Sequence, residues 1–399
     1  MIIRSLDLRR FLAQGKSMFV FGPRGVGKSQ LLAQLMSELS NTWLVDLLRS
    51  DTYTHYLTAP QYFRHDVQRR LDSLPSESTL AVMVDEVQKL PNLLDEVHLL
   101  YERNKPRLRF LLTGSSARKL KTGGANLLAG RALTLHLHPL VHNELRLDLM
   151  RALQHGTLPA VYLEDSLPEL TLKSYVQTYL KEEVLQEALV RRIDGFTRFL
   201  DLAGQYHGEP VNFSRIAKAA RVSPNTVQQY YQILLDTLVA FRLDAWTESV
   251  RKQLLAAPRF YLFDCGVLNA IRGESRTELK VGSFRFGRLF ETFLILECFR
   301  LNDYRETDFR FSYWRTNTGM EVDLVVQRGI TQEPLAIEIK SDAQPQRADL
   351  TGLLSFQSDN PGARLVCACT TPVAYRLAGV DVLPWEEFLD ALFVRQTLL

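Results

Sequence analysis

Residues Gly22-Pro23-Arg24-Gly25-Val26-Gly27-Lys28-Ser29 follow directly on the apolar run SMFVF and lead into the helical pattern QLLAQLMSEL. No other feature restricts the fold as tightly, because G-x-x-x-x-G-K-S has meaning only at a turn from strand to helix. The glycines let the backbone bend so that successive N–H groups converge on a phosphate, beside a helix N-terminus carrying partial positive charge. The spacing predicts a loop formed by Gly22, Pro23, Arg24, Gly25, Val26, Gly27, Lys28 and Ser29 that grips a nucleoside triphosphate. Lys28 is placed to neutralise the β- and γ-phosphates, and the Ser29 hydroxyl to ligate magnesium. The competing reading is a chance glycine-rich turn, against which Lys-Ser between the right flanks argues.

SMFVF, TWLVDL, TLAVMVDE, RFLLTGS and RALTLHL read as five strands with helical stretches between them. Several are apolar enough for burial on both faces, which points to a parallel sheet. TLAVMVDE ends on two acids, a costly arrangement unless they face a ligand. Asp85 is expected in the magnesium shell and Glu86 beside the attacking water; capping of the next helix is the alternative. Thr113 or Ser115, at the tip of RFLLTGS, is placed to sense the γ-phosphate or orient the water, with a solvated turn as the other reading. Arg131, just before the fifth strand, is a candidate finger acting across a subunit interface of a homo-oligomer, or an ordinary surface arginine.

Gly22–Ser29, the Asp85–Glu86 pair, LLTGSSARKL, LAGRA and HPLVHNEL together resemble the AAA-type module of a prokaryotic ATPase family. In that family the module precedes a C-terminal domain of unknown function numbered 4143. GTLPAVYLE, SYVQTYLKEEV, FYLFDCGVLNAI and GRLFETFL are similar to it as well. The resemblance covers nearly the whole chain and implies an ATPase using ATP and magnesium. KEEV at residues 181–184 departs from the more aspartate-rich stretch expected there.

The apolar spacing turns helical from about Leu140 to Trp246, with no convincing strand. VNFSRIAKAARVSPNTVQQYYQILLDTLVAFRLDAW has a helix-turn-helix rhythm. Asn212 or Ser214 is the cap of one helix, and Ser223 the cap of a second with Pro224 at its first position. Val227, Tyr230, Ile233, Leu234 and Leu238 form the buried stripe. Asn225, Gln228, Gln229 and Gln232 then face outward, with Lys218 and Arg221 nearby. Amides pair with adenine edges and cations with phosphate, so DNA is one partner this face fits; a packing module is the other reading.

The tail carries FGRLFETFLILECFR, EVDLVVQ and AIEIK. Glu291 falls on a helix and Asp323 on a strand. Glu338 and Lys340, two apart on the next strand, share a face. This order of helix acid, strand acid and E-x-K resembles the PD-(D/E)xK nuclease core. The resemblance implies that Asp323 and Glu338 hold magnesium, Lys340 orients water and Glu291 completes the outer shell. The competing reading is a nuclease-derived fold without activity. Gly287 and Arg288 are expected to serve the start of the helix.

The expected organisation is α/β: a P-loop AAA-type parallel-sheet domain over residues 1–139, a helical region over 140–255 with a winged-helix-like segment near 196–246, and a restriction-endonuclease-like α/β domain over 256–399. At 399 residues two or three cores are expected, and a formal charge of +3 allows nucleic-acid binding without requiring it. No apolar run reaches the roughly 20 residues that span a bilayer, and the first residues lack a signal core, so a cytoplasmic protein without membrane contact is expected. Cys265, Cys298, Cys367 and Cys369 show no paired CxxC spacing, and RLVCACT reads as a buried strand.

Overall fold

β1 (Ser17–Phe21), β2 (Thr42–Asp46), β3 (Leu80–Asp85), β4 (Leu108–Gly114) and β5 (Ala132–His136) are the five strands foreseen from the apolar runs. In the computed structural model they form one sheet in the order β2-β3-β4-β1-β5, with every pairing parallel. Parallel neighbours require crossovers, and the helices Lys28–Glu38 and Leu93–Asn104 leave from the ends of β1 and β3. Every residue of β1 and β3 is buried, as expected of strands covered on both faces. Phe19, Phe21, Val82, Val84, Phe110 and Leu112 pack with Phe63, Val67, Leu93 and Val97 in one core. Because all five strands run the same way, the C-terminal tips of β1, β3 and β4 lie along one edge.

The structure describes residues 2–116, 118, 120, 131–163, 166–180, 193–247, 256–329 and 332–399. They divide into two compact units, Met1–Leu140 with Asp236–Leu238, and Val141–Leu235 with Val239–Leu399. KEEV, at residues 181–184, lies outside the described residues, as do parts of LLTGSSARKL and LAGRA.

The second unit holds β6 (Ala240–Ala245), β7 (Arg259–Leu262), β8 (Arg310–Arg315), β9 (Glu321–Gln327), β10 (Leu335–Lys340), β11 (Arg364–Cys369), β12 (Tyr375–Leu377) and β13 (Val380–Pro384). They form one mixed sheet in the order β12-β13-β11-β10-β9-β8-β6-β7. β6 corrects the expectation that no strand lies before Trp246. AFRLDA is short and carries charges, so its strand character comes from pairing antiparallel with β7 and parallel with β8. Cys367 and Cys369 are buried in β11, and all four cysteines are free.

Asn212 caps the helix Phe213–Ala220 by accepting the Arg215 N–H at 3.0 Å. Ser223 accepts the Thr226 N–H at 3.1 Å ahead of the helix Pro224–Asp236. Val227, Tyr230, Ile233 and Leu234 are buried, whereas Asn225, Gln228, Gln229 and Gln232 are exposed. Leu238 falls past the helix end, half-buried and with φ of +58°, so the buried stripe stops short of it. Among the described residues no helix is long and apolar enough to cross a membrane.

Candidate functional site

The loop after β1 takes the shape its glycines allow. Gly25 and Gly27 have φ of +82° and +96°, a region that side chains rarely enter. Gly22 is needed for a different reason: a Cβ there would lie 2.2 Å from the Leu137 carbonyl oxygen. Lys28 begins the following helix and is buried, its ammonium donating to the carbonyls of Gly22 at 2.8 Å and Pro23 at 3.2 Å. The cation is thus folded back over the loop. Pro23 and Val26 are buried, and Arg24 is exposed.

The Ser29 hydroxyl donates to Asp85 Oδ2 at 2.6 Å, and Thr113 Oγ1 donates to Asp85 Oδ1. Asp85 and Thr113 are buried at the tips of β3 and β4. Glu86 follows with φ of +59°, and its N–H donates to Thr113 Oγ1 at 3.3 Å. The structure therefore brings Lys28, Ser29, Asp85, Glu86, Thr113 and Ser115 to one edge of the sheet.

Arg131 is not among them. It directly precedes Ala132, which pairs with Ser17 at the start of β1, whereas the loop leaves the far end of β1 at Phe21. Arg131 instead holds Glu102 Oε1 at 2.5 Å, and Lys105 holds the other oxygen at 2.8 Å. Hydrogen bonds from Lys105 and Arg131 pull the Glu102 carboxyl down to about 2. As a ligand of its own chain's loop Arg131 is excluded by the direction of β5.

Two neighbours of this edge escaped the sequence reading. Arg4 donates to the Val26 carbonyl at 2.7 Å and the His138 carbonyl at 2.6 Å, bracing the loop from outside. No motif marks such an arginine. Gln88 sits in the short turn Val87–Lys89 and donates through Nε2 to Glu86 Oε2 and, at 3.1 Å, to Ser115 Oγ. Its signal was a polar residue two after the acid pair, in a stretch that reads as ordinary helix.

In the second unit, β9 and β10 pair antiparallel with Ile337 opposite Leu324. The next step of that register sets Glu338 against Asp323, and Asp323 Oδ2 accepts the Ile339 N–H at 2.8 Å. Lys340 donates to Glu338 Oε1 at 2.7 Å, while the buried Glu338 Oε2 has no partner. Glu291, on the helix Phe284–Arg305, receives the Tyr261 hydroxyl at 3.2 Å and Arg288 at 3.3 Å. Arg288 also bridges to Glu209 at 2.7 Å, while Ser283 caps the helix start. Arg259, almost wholly buried, lies 4.1 Å over the Tyr313 ring and binds Glu321 at 2.6 Å.

Burial dominates the electrostatics of this cluster. It raises Glu291 to about 7, with the Asp323 charge adding to the shift. Asp323 and Glu338 are raised as well, first by burial and, for Glu338, then by Asp323. Carboxyls gathered in this way repel when ionised unless a cation joins them.

Residues 14–146 match the family model described as an AAA domain. Residues 146–278 match the domain of unknown function 8612, and residues 286–388 match the domain of unknown function 4143. Uncharacterized proteins of Mycobacterium bovis and Mycobacterium tuberculosis are each 25% identical over 344 residues, spanning 85% of this chain and 73% of theirs. Among solved structures, the Drosophila ORC bound to AT-rich DNA and Cdc6 is similar at 11% identity and a TM-score of 0.25, over 67% of this chain and 89% of that one. PCH-2 of C. elegans is similar at 13% identity and a TM-score of 0.24, over 58% of this chain and 63% of that one.

Proposed function

We propose that the chain binds ATP with magnesium at Gly22–Ser29 and hydrolyses it. One observation carries this reading: Ser29 and Asp85, the hydroxyl and carboxylate suited to a shared hard cation, meet at 2.6 Å beside the buried Lys28. The donor set fits the group, since the Lys28 ammonium suits phosphate and the Ser29–Asp85 oxygen pair suits magnesium. Ser29 and Asp85 would hold magnesium, which when bound would supply neutralisation of the phosphate charge. Lys28 then exchanges loop carbonyls for phosphate oxygens. Glu86 accepts the proton of the attacking water as its oxygen bonds to the γ-phosphorus and the bond to ADP breaks. Thr113 or Ser115, at the tip of β4, senses the γ-phosphate or orients the water. Any action of Arg131 on a triphosphate requires a second copy of the chain.

In the second unit the buried acids, the unpartnered Glu338 oxygen and the E-x-K strand support a nuclease-like site; coupling of that site to the nucleotide state and action on nucleic acid belong to the same proposal. Asp323 and Glu338 would hold magnesium there, which when bound supplies a hydroxide nucleophile and charge stabilisation. Lys340 orients water and Glu291 completes the outer shell. A second reading, an ATP-dependent switch whose tail binds protein or DNA without cutting, is favoured by the pairing of Lys340 with Glu338 at 2.7 Å, which occupies the ammonium. The domain limits that go with this proposal are 1–139, 140–255 and 256–399.

Turnover of ATP by the parent, Lys28→Ala and Glu86→Gln tests the first half. Both variants should lose about 10²-fold or more in rate, the second while still binding nucleotide; parental rates in either would refute the site. Cutting of DNA with magnesium or manganese, abolished by Asp323→Ala and Lys340→Ala, selects the nuclease; binding without cutting selects the switch.

A further inference from the structure

Gln88 is 7% exposed, and the oxygens it serves belong to different strand tips: Glu86 after β3 and Ser115 after β4. A carboxylate only accepts hydrogen bonds, so the amide nitrogen must be the atom facing Glu86. Its two hydrogens satisfy Glu86 Oε2 and Ser115 Oγ at once, which a side chain with one donor cannot do. The opposite end of the amide, Oε1, is buried without a partner. It lies against Gly114, where a Cβ would come within 2.5 Å of it. The fold thus leaves a polar atom unpaired and keeps position 114 bare, and in return the amide spans the two tips. The turn Val87–Lys89, entered through the positive φ of Glu86, swings Gln88 back toward β4.

We propose that Gln88 is a positioning residue that ties the orientation of the Glu86 carboxylate to the place of Ser115, so that contact of the terminal phosphate with the β4 tip sets the water-polarising group. This rests on the hydrolysis reading above. Gln88 touches neither nucleotide nor water in this scheme. It acts through Glu86, and its loss therefore appears in the chemical step rather than in binding.

The test compares the parent with Gln88→Met, Ser115→Ala and the double variant, in the full chain with ATP and magnesium. Turnover constants and affinity for a fluorescent ATP analogue are measured for each. Gln88→Met, which keeps the volume and removes the donor, should lower kcat about tenfold or more and leave KM and analogue affinity within about twofold. The Ser115→Ala change should add less in the Gln88→Met background than in the parent, because both cut the same link. Unchanged kcat, or a loss of kcat matched by an equal loss of affinity, overturns the assignment, as does simple multiplication of the two effects. If the Met variant does not fold, Gln88→Glu takes its place and should lose kcat likewise; parental kcat there is equally fatal. A parent without Lys28-dependent turnover overturns the hydrolysis reading itself, and the Gln88 assignment with it.

Discussion

The Ser29 hydroxyl donates to Asp85 Oδ2 at 2.6 Å across 56 positions of chain. Parallel strands place the tips of β1 and β3 on the same edge, with β4 between them supplying Thr113 to the other carboxylate oxygen. The oxygens that would share a cation are therefore held together by hydrogen bonds from two sides.

Ser29→Ala removes one of these oxygens and nothing from the loop backbone. The magnesium concentration that half-saturates ATP turnover should rise about 10- to 100-fold, the usual cost of disturbing a metal's surroundings. Titration of turnover with magnesium at fixed ATP measures it, and an unshifted midpoint would remove Ser29 from the shell.

Gly22→Ala puts a methyl group 2.2 Å from the Leu137 carbonyl, which is backbone and has no rotamer to escape into. The loop or β5 must shift. We expect a loss of about 1–3 kcal/mol in urea unfolding together with weakened nucleotide affinity. A fully stable variant with parental affinity would show that the loop tolerates the shift.

The acid cluster makes the second unit depend on pH. Glu291 ionises near 4.5 when unfolded and near 7 when folded. Between these values the native state keeps a proton that the unfolded state has lost, so stability falls as pH rises through the window. Below about 4.5 both states are protonated and the penalty is absent. One such group gives a slope of at most about 1.4 kcal/mol per pH unit. Urea midpoints from pH 4.5 to 7 in EDTA, followed by the fluorescence of Trp246, Trp314 and Trp385, should decline less steeply in Glu291→Gln than in the parent. Identical slopes would sink the account.

Arg300 and Glu297 form a buried pair at 3.1 Å on the helix Phe284–Arg305, and Arg300 also donates to Thr157 and the Phe263 carbonyl. Arg300→Ala leaves Glu297 without its arginine and should cost about 3–5 kcal/mol in urea unfolding. A loss under about 1 kcal/mol would mean that the His142 contact to Glu297 is enough.

The roles proposed for Lys28, Ser29, Asp85 and Glu86 were readable because each sits in a local pattern whose meaning is set by strand-to-loop geometry. The five apolar runs of the first unit were readable for a similar reason: strands covered on both faces need nearly continuous apolar residues. β6 was hidden, since AFRLDA owes its strand form to β7 and β8 rather than to its own residues. Arg4 and Gln88 were hidden too, because a hydrogen bond to a distant backbone or side chain leaves no periodicity in the chain.

By itself, the order of residues determined the phosphate-loop motif, the apolar strands, a helix capped at Ser223 after one capped at Asn212 or Ser214, and the succession Glu291, Asp323, Glu338, Lys340. These depend on contacts within a few residues, where backbone sterics and side-chain type suffice. Tertiary structure alone decided that Arg131 lies at the opposite sheet edge from Gly22–Ser29, that Gln88 joins Glu86 to Ser115, and that Glu338 stands against Asp323. Strand order and register settle such pairings, and both are fixed by packing among segments far apart in the chain.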